Sequence, residues 1–182
     1  MSESASIDRE YLSRLGSAEQ LAERLVTLCL ARNQHIATAE SCTAGLLGHT
    51  LSCCFGAATA FEGGFLTYTK AAKTQMLGVP TDLLKTCTAV HERVALAMAE
   101  GALARSPATI ALAITGVTGD APDEDRNPIG RVVIGCATTG ASRVFRCEFG
   151  NLASPALNQL AVAAAVALGL HHLGDESACL AL

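Results

Sequence analysis

The sequence predicts an α/β fold: a single three-layer α/β/α domain built on a mixed central sheet. Three observations lead there. Half of the 182 residues are apolar but only 4% are aromatic, so the core must be built from Ala, Leu, Val and Ile in closely approaching helices and strands. Short apolar runs of strand length alternate along the chain with stretches of helical periodicity. The run "ATIALAITG" (108–116) is apolar almost throughout, as expected of a central strand covered on both faces. The length suits one domain with a sizeable core and is too short for two of typical size.

The first 16 residues are polar and lack sustained periodicity, which suggests a loosely held arm with a turn of helix around Tyr11. The domain is expected over 17–174, followed by a short tail, 175–182. A helix starts at Ser17, where "SAEQ" matches the capping-box pattern. It puts Leu21, Leu25, Leu28 and Cys29 on one face and ends near Asn33. "HIATA" (35–39) is the first strand and "CTAGLLGHTLSC" (42–53) the helix after it. "AFEGGFLTYT" (60–69) alternates as a second strand. "KAAKTQML" (70–77) is a short helix closed by Gly78 and Pro80. "VHERVALAMAEGALARS" (90–106) is a longer helix whose small residues allow close packing on a sheet. After the apolar strand comes an irregular segment, "VTGDAPDEDRNPIG" (117–130). "RVVIGCATT" and "SRVFRCEFG" then read as a hairpin joined at "TGA". "SPALNQLAVAAAVALGLHHL" (154–173) closes the chain as a helix, with Ser154 expected as N-cap and Pro155 in the first turn. This order implies a sheet with helices on both faces.

The net charge of −4 offers no general attraction to nucleic acid or to an anionic membrane. None of the eight cysteines forms a CxxC pair or sits at zinc-ligand spacing from a histidine. They are read as small buried hydrophobes in a reducing cytoplasm, and neither a metal nor a cofactor is expected. The N-terminus lacks the basic start and apolar run of a signal peptide. The longest apolar stretch, "LAVAAAVALGL" (160–170), is too short to span a bilayer. A soluble cytoplasmic protein acting on a small molecule is therefore expected.

The candidate chemistry lies in "AESCTAG" (39–45), polar side chains placed at the carboxyl end of the first strand. Ligands of α/β proteins bind at such ends. Ser41 is either a helix cap or a nucleophile whose oxyanion would be held by the N–H groups of Thr43, Ala44 and Gly45 at the helix start. A serine hydroxyl needs a base. Lys70 and Lys73 follow the second strand, and Lys73 is either a solvated lysine or, in an apolar pocket, an amine with a lowered pKa. Tyr68 could bridge lysine and serine through its hydroxyl.

In their order and spacing, "ATAESCTAGLLG", "FEGGFLTYTKAAKTQMLGV" and "PIGRV" resemble the CinA C-terminal domain family, whose characterised members are nicotinamide mononucleotide deamidases. The resemblance runs from about Gln34 to the closing helix. It implies an α/β/α fold and a Ser-Tyr-Lys set that cleaves a carboxamide to a carboxylate and ammonia. Ser41 would be the nucleophile, with Tyr68 and Lys73 as the proton-handling pair. Substrate contacts are expected from Glu40, Cys42, Thr43, Ala44, Gly45, Lys70, Thr115 and Gly116. The resemblance also implies a homo-oligomer, a dimer. Full-length CinA proteins carry a further N-terminal domain, and this chain reads as a stand-alone form.

Four places depart from the family pattern. Ala44 replaces a glycine and His91 a serine. "TGVTGD" stands for "SGIAGP" and is followed by the acidic "APDEDRN". "FGNLASPALNQ" (149–159) occupies the place of the arginine that helps hold the nucleotide phosphate. Lys70, Arg131 and Arg146 are the cations left for that task. Besides the mononucleotide amidase, the sequence therefore leaves open an amidase for a substrate without a phosphate and a non-catalytic binding domain.

Overall fold

A computed structural model of the chain describes residues 9–175 and 178. Its strands are β1 (Ile36–Glu40), β2 (Phe61–Leu66), β3 (Ile110–Gly116), β4 (Arg131–Thr138) and β5 (Ala141–Glu148). They form one mixed sheet in the order β2-β1-β3-β4-β5. The first three run parallel, while β4 and β5 join antiparallel, the latter pair being the hairpin expected at "TGA". The α/β architecture anticipated from the sequence is the one observed.

Alternation along the strands assigns the two faces. Ile36, Ile110, Leu112, Ile114, Val132 and Ile134 point to one side and form the larger core cluster. Ala37, Ala39, Ala111, Ala113 and Ala137 point to the other. The side bearing large residues is covered by α1 (Arg9–Leu15), α2 (Ala18–Ala31), α3 (Leu46–Ser52) and α8 (Ser154–His172). The alanine side receives α5 (Lys70–Leu77), α6 (Thr81–Cys87) and α7 (Glu92–Ala104). Close approach there requires glycine: a Cβ on Gly135 would lie 2.5 Å from the Ala95 carbonyl oxygen of α7. The low aromatic content thus belongs to a sheet that meets one helix layer through alanine and glycine.

Several boundaries differ from the sequence reading, each for a local reason. The capping box at Ser17 is present in full, but the helix expected from Cys42 begins only at Leu46. Residues 41–45 are instead a turn in which Ala44 and Gly45 take φ of 50° and 100°. Helices α4 (Ala57–Ala60) and α6 were not anticipated. They are 4 and 7 residues long, too short to show a helical period, and Pro80, expected only to close the helix before it, also stands as N-cap of α6. At α8 the N-cap is Ala153 rather than Ser154. Part of the expected loose arm is the helix α1, which docks through buried Leu12. The rest of that arm, 1–8, and tail residues 176–177 and 179–182, Cys179 among them, lie outside the described residues.

Candidate active site

The parallel strands converge on one point at their carboxyl ends. Ser41 N–H donates to the Ile114 carbonyl (3.0 Å) and Thr67 N–H to that of Glu40 (2.7 Å), each extending the ladder just past β1 and β2. Ser41 therefore stands between the ends of β2 and β3. From β1 the chain leaves toward β2 on one side, and from β3 toward β4 on the other. Such a divergence opens a crevice at the strand ends of an α/β sheet.

Glu40 sets the shape of the serine's turn. Its carboxylate is buried and accepts from Thr43 Oγ1 (2.7 Å) and from the N–H groups of Gly45 (3.1 Å), Leu47 (3.0 Å) and Gly48 (2.8 Å). It serves as the anionic cap of α3, where orphan donors and the helix dipole favour a negative charge. Both oxygens are occupied in this way, so Glu40 holds the turn and does not reach the cleft as a substrate contact. Thr43, Ala44 and Gly45, also expected to touch substrate, are likewise absent from the cleft lining, since the turn carries them toward α3. The expected oxyanion donors change accordingly. Ala44 N–H donates to the Ser41 carbonyl (3.1 Å) and Gly45 N–H to Glu40. Among the described residues, Thr43 N–H is the donor in the turn with no acceptor, while Cys42 N–H lies against its own thiol.

The base candidate arrives from α5. Thr69 Oγ1 caps this helix by accepting from Ala72 N–H (3.1 Å), and one turn later Lys73 points inward. It is 1% exposed. Its Nζ donates to Ser41 Oγ (2.7 Å) and to the Thr67 carbonyl (2.9 Å). Burial, with a smaller contribution from Lys70, lowers its pKa from 10.5 to about 8, opposed by Cys42. Of the two sequence readings of Lys73, solvated or buried, the second is the one observed. Tyr68 contributes differently from what was expected: its carbonyl oxygen lies 3.5 Å from Ser41 Oγ as an acceptor, while the residue is 66% exposed at the rim of the cleft. Among the described residues no tyrosine hydroxyl bridges serine and lysine. Cys42 lines the cleft, but burial pushes its thiol up to about 12, so it stays protonated at neutral pH.

These groups open onto a cleft of ≈ 620 Å³, lined also by Lys70, Thr115, Gly116, Thr118, Asp123, Glu124 and Asp125. Thr115 Oγ1 donates to the Ala89 carbonyl (2.8 Å) and so ties β3 to the start of α7. At Gly116 a Cβ would press on the Arg131 carbonyl oxygen at 2.8 Å. His91 caps α7, its Nδ1 accepting from Arg93 N–H (3.1 Å). The cations considered for a phosphate are all paired. Lys70 Nζ meets Glu124 at 2.7 Å and Asp125 at 2.8 Å. Arg131 meets Glu148 at 2.8 Å, and Arg146 meets Glu92 at 3.2 Å. Of the three, only Lys70 lines the cleft.

The sequence reading missed the Thr67 carbonyl, Thr118 and the inward side of the 120–127 loop. Backbone acceptors carry no residue signature, and an acidic run in a loop does not show which of its carboxylates turn inward. Among the described residues no three His, Cys, Asp or Glu side chains gather as a metal site requires, and no helix is long and apolar enough to cross a membrane.

Residues 18–173 match the family model of the CinA C-terminal domain. The chain is 36% identical over 178 residues to a CinA-like protein of Syntrophobacter fumaroxidans, covering 94% of this chain and 42% of that one. It is 43% identical over 127 residues to a CinA-like protein of Akkermansia muciniphila, 69% of this chain and 31% of that one. It thus spans less than half the length of these relatives. Among solved structures, it resembles the competence/damage inducible protein CihA of Agrobacterium tumefaciens (TM-score 0.82, 35% identity, 87% of this chain and 96% of that one). A CinA superfamily protein of Escherichia coli is similar (TM-score 0.80, 33% identity, 85% and 90%). With motifs, topology and these matches in agreement, the chain belongs to the CinA C-terminal domain family.

Proposed function

We propose that the protein is an amidohydrolase of the nicotinamide mononucleotide deamidase type, converting a carboxamide to a carboxylate and ammonia through Ser41 and Lys73. The observation that carries this reading is the buried Lys73 amine 2.7 Å from Ser41 Oγ, with its pKa lowered to about 8. An amine in its neutral form at that distance can take the serine's proton as Oγ attacks the amide carbon. Cys42, which follows the nucleophile and lines the cleft, offers its backbone N–H to the developing oxyanion. Lys73 then returns the proton to the departing nitrogen, which leaves as ammonia, and Ser41 is left as an ester. Water attacks the ester, gives a proton to Lys73, and the carboxylate departs as Ser41 regains its hydrogen. Tyr68 contributes its carbonyl to orient the Ser41 hydroxyl and its ring to the cleft rim.

Ammonia release from the mononucleotide, its riboside and free nicotinamide tests the reading. Ser41→Ala is expected to abolish release with folding intact, because only two local hydrogen bonds are lost, that from Lys73 Nζ and that to the Tyr68 carbonyl. Cys42→Ala should be nearly silent, since its protonated thiol is no rival nucleophile. An alanine variant at Ser41 that kept full turnover would overturn the assignment.

A further inference from the structure

Building on that reading, we infer that the cleft selects by charge: it takes a cationic carboxamide without a phosphate, and Glu124 and Asp125 are its specificity determinants. Three carboxylates, Asp123, Glu124 and Asp125, line the cleft beside two amines, Lys70 and Lys73. Lys73 is turned inward onto Ser41 and Thr67, which leaves Lys70 as the cation facing a ligand. Glu124 and Asp125 already hold that amine from two sides.

Their position is built into the fold rather than left to a solvated loop. Asp123 Oδ1 accepts from Asp125 N–H (3.0 Å) and Asn127 N–H (2.8 Å), and its Oδ2 accepts from Asn127 Nδ2 (2.8 Å). This closes residues 123–127 into a turn that presents the next two carboxylates to Lys70. Asp125 has a side-chain exposure of 23% and Glu124 of 74%, so the aspartate is the less screened of the two. A phosphate entering here would have to displace carboxylates from Lys70 while facing their charge. A positively charged ring, by contrast, gains from the surplus negative charge, and its carboxamide still reaches Ser41. A pyridinium riboside has this chemistry, and its mononucleotide adds only the repelled group.

The test measures binding separately from turnover. Calorimetric titration of the Ser41→Ala chain with nicotinamide riboside and with nicotinamide mononucleotide should show the riboside bound at least about ten-fold more tightly at low ionic strength. The ratio should shrink as salt is added. It should also fall toward unity in the same chain carrying E124Q and D125N, where Lys70 is released. Equal or tighter binding of the mononucleotide overturns the inference. So does failure of both ligands to bind, or a preference that neither salt nor the double substitution changes. A wild-type chain that shows the charge preference but releases no ammonia from either ligand would sink the amidase reading and leave charge selection standing.

Discussion

Lys73 concentrates the chemistry at the scale of single residues. A lysine amine in water holds its proton far above neutral pH, and here burial lowers that affinity until deprotonation falls near 8. At about pH 7 roughly one molecule in ten would carry the free base, and nearly all would by about pH 9. The rate of ammonia release under saturating substrate is therefore expected to rise about ten-fold across that interval and then level off. The sign is set by the role: a base works when unprotonated, so activity is lost as pH falls through the folded value. A profile flat over this range, or one falling toward alkaline pH, would remove Lys73 as the proton acceptor. The pairing itself was only half legible in the sequence. The resemblance to the CinA pattern implied that Ser41 and Lys73 act together, but the direct amine–hydroxyl contact and the exposure of Tyr68 depend on how α5 docks, which no local pattern encodes.

At the scale of elements, the turn between β1 and α3 was the least legible part of the site. The apolar run of β1 and the Ser-Cys-Thr sequence after it mark a strand end. The length of the turn, however, is decided by Glu40, whose carboxylate draws the N–H groups of Gly45, Leu47 and Gly48 around itself. A glutamate in a strand tip reads equally well as a ligand group until its partners are known. The same turn places Ala44 at φ 50°, a left-handed conformation that costs a residue with a Cβ about 1 kcal/mol. Ala44 is exposed, so Ala44→Gly removes this strain without opening a cavity. The gain is reduced by the greater freedom glycine has in the unfolded chain. A net stabilisation of about 0.5 kcal/mol is expected, read as a higher urea midpoint at unchanged slope. A lower midpoint would mean that the alanine is not strained there. The short helices α4 and α6 were illegible for a simpler reason: neither spans the two turns over which a hydrophobic period can be recognised.

At the scale of the whole molecule, the architecture was legible because both core layers are written as alternation. Ile and Leu face α2 and α8, while Ala and Gly face α7, so the strand periods and the small-residue helix point to the same three layers. The same packing buries Lys73, and this couples the candidate site to global stability. An unfolded chain releases this lysine's proton near 10.5, the folded one near 8. Between those values the unfolded state binds more protons, so the group's contribution to stability rises with pH. Conversely, it is lost as pH falls through the folded value, and near neutrality the buried charge costs roughly 3 kcal/mol relative to alkaline solution. Lys73→Met removes the titration along with the amine. The stability of the wild type minus that of the variant, from urea unfolding at a series of pH values, should increase by roughly 3 kcal/mol between about pH 7 and 10.5. Taking the difference cancels groups common to both chains, including the buried thiols of Cys29 and Cys54, which burial raises to about 12 and about 11. Over the same range the variant should show no ammonia release at any pH. A difference that stayed level with pH would mean that folding does not perturb Lys73, and an unperturbed lysine could not serve Ser41 as a base at neutral pH.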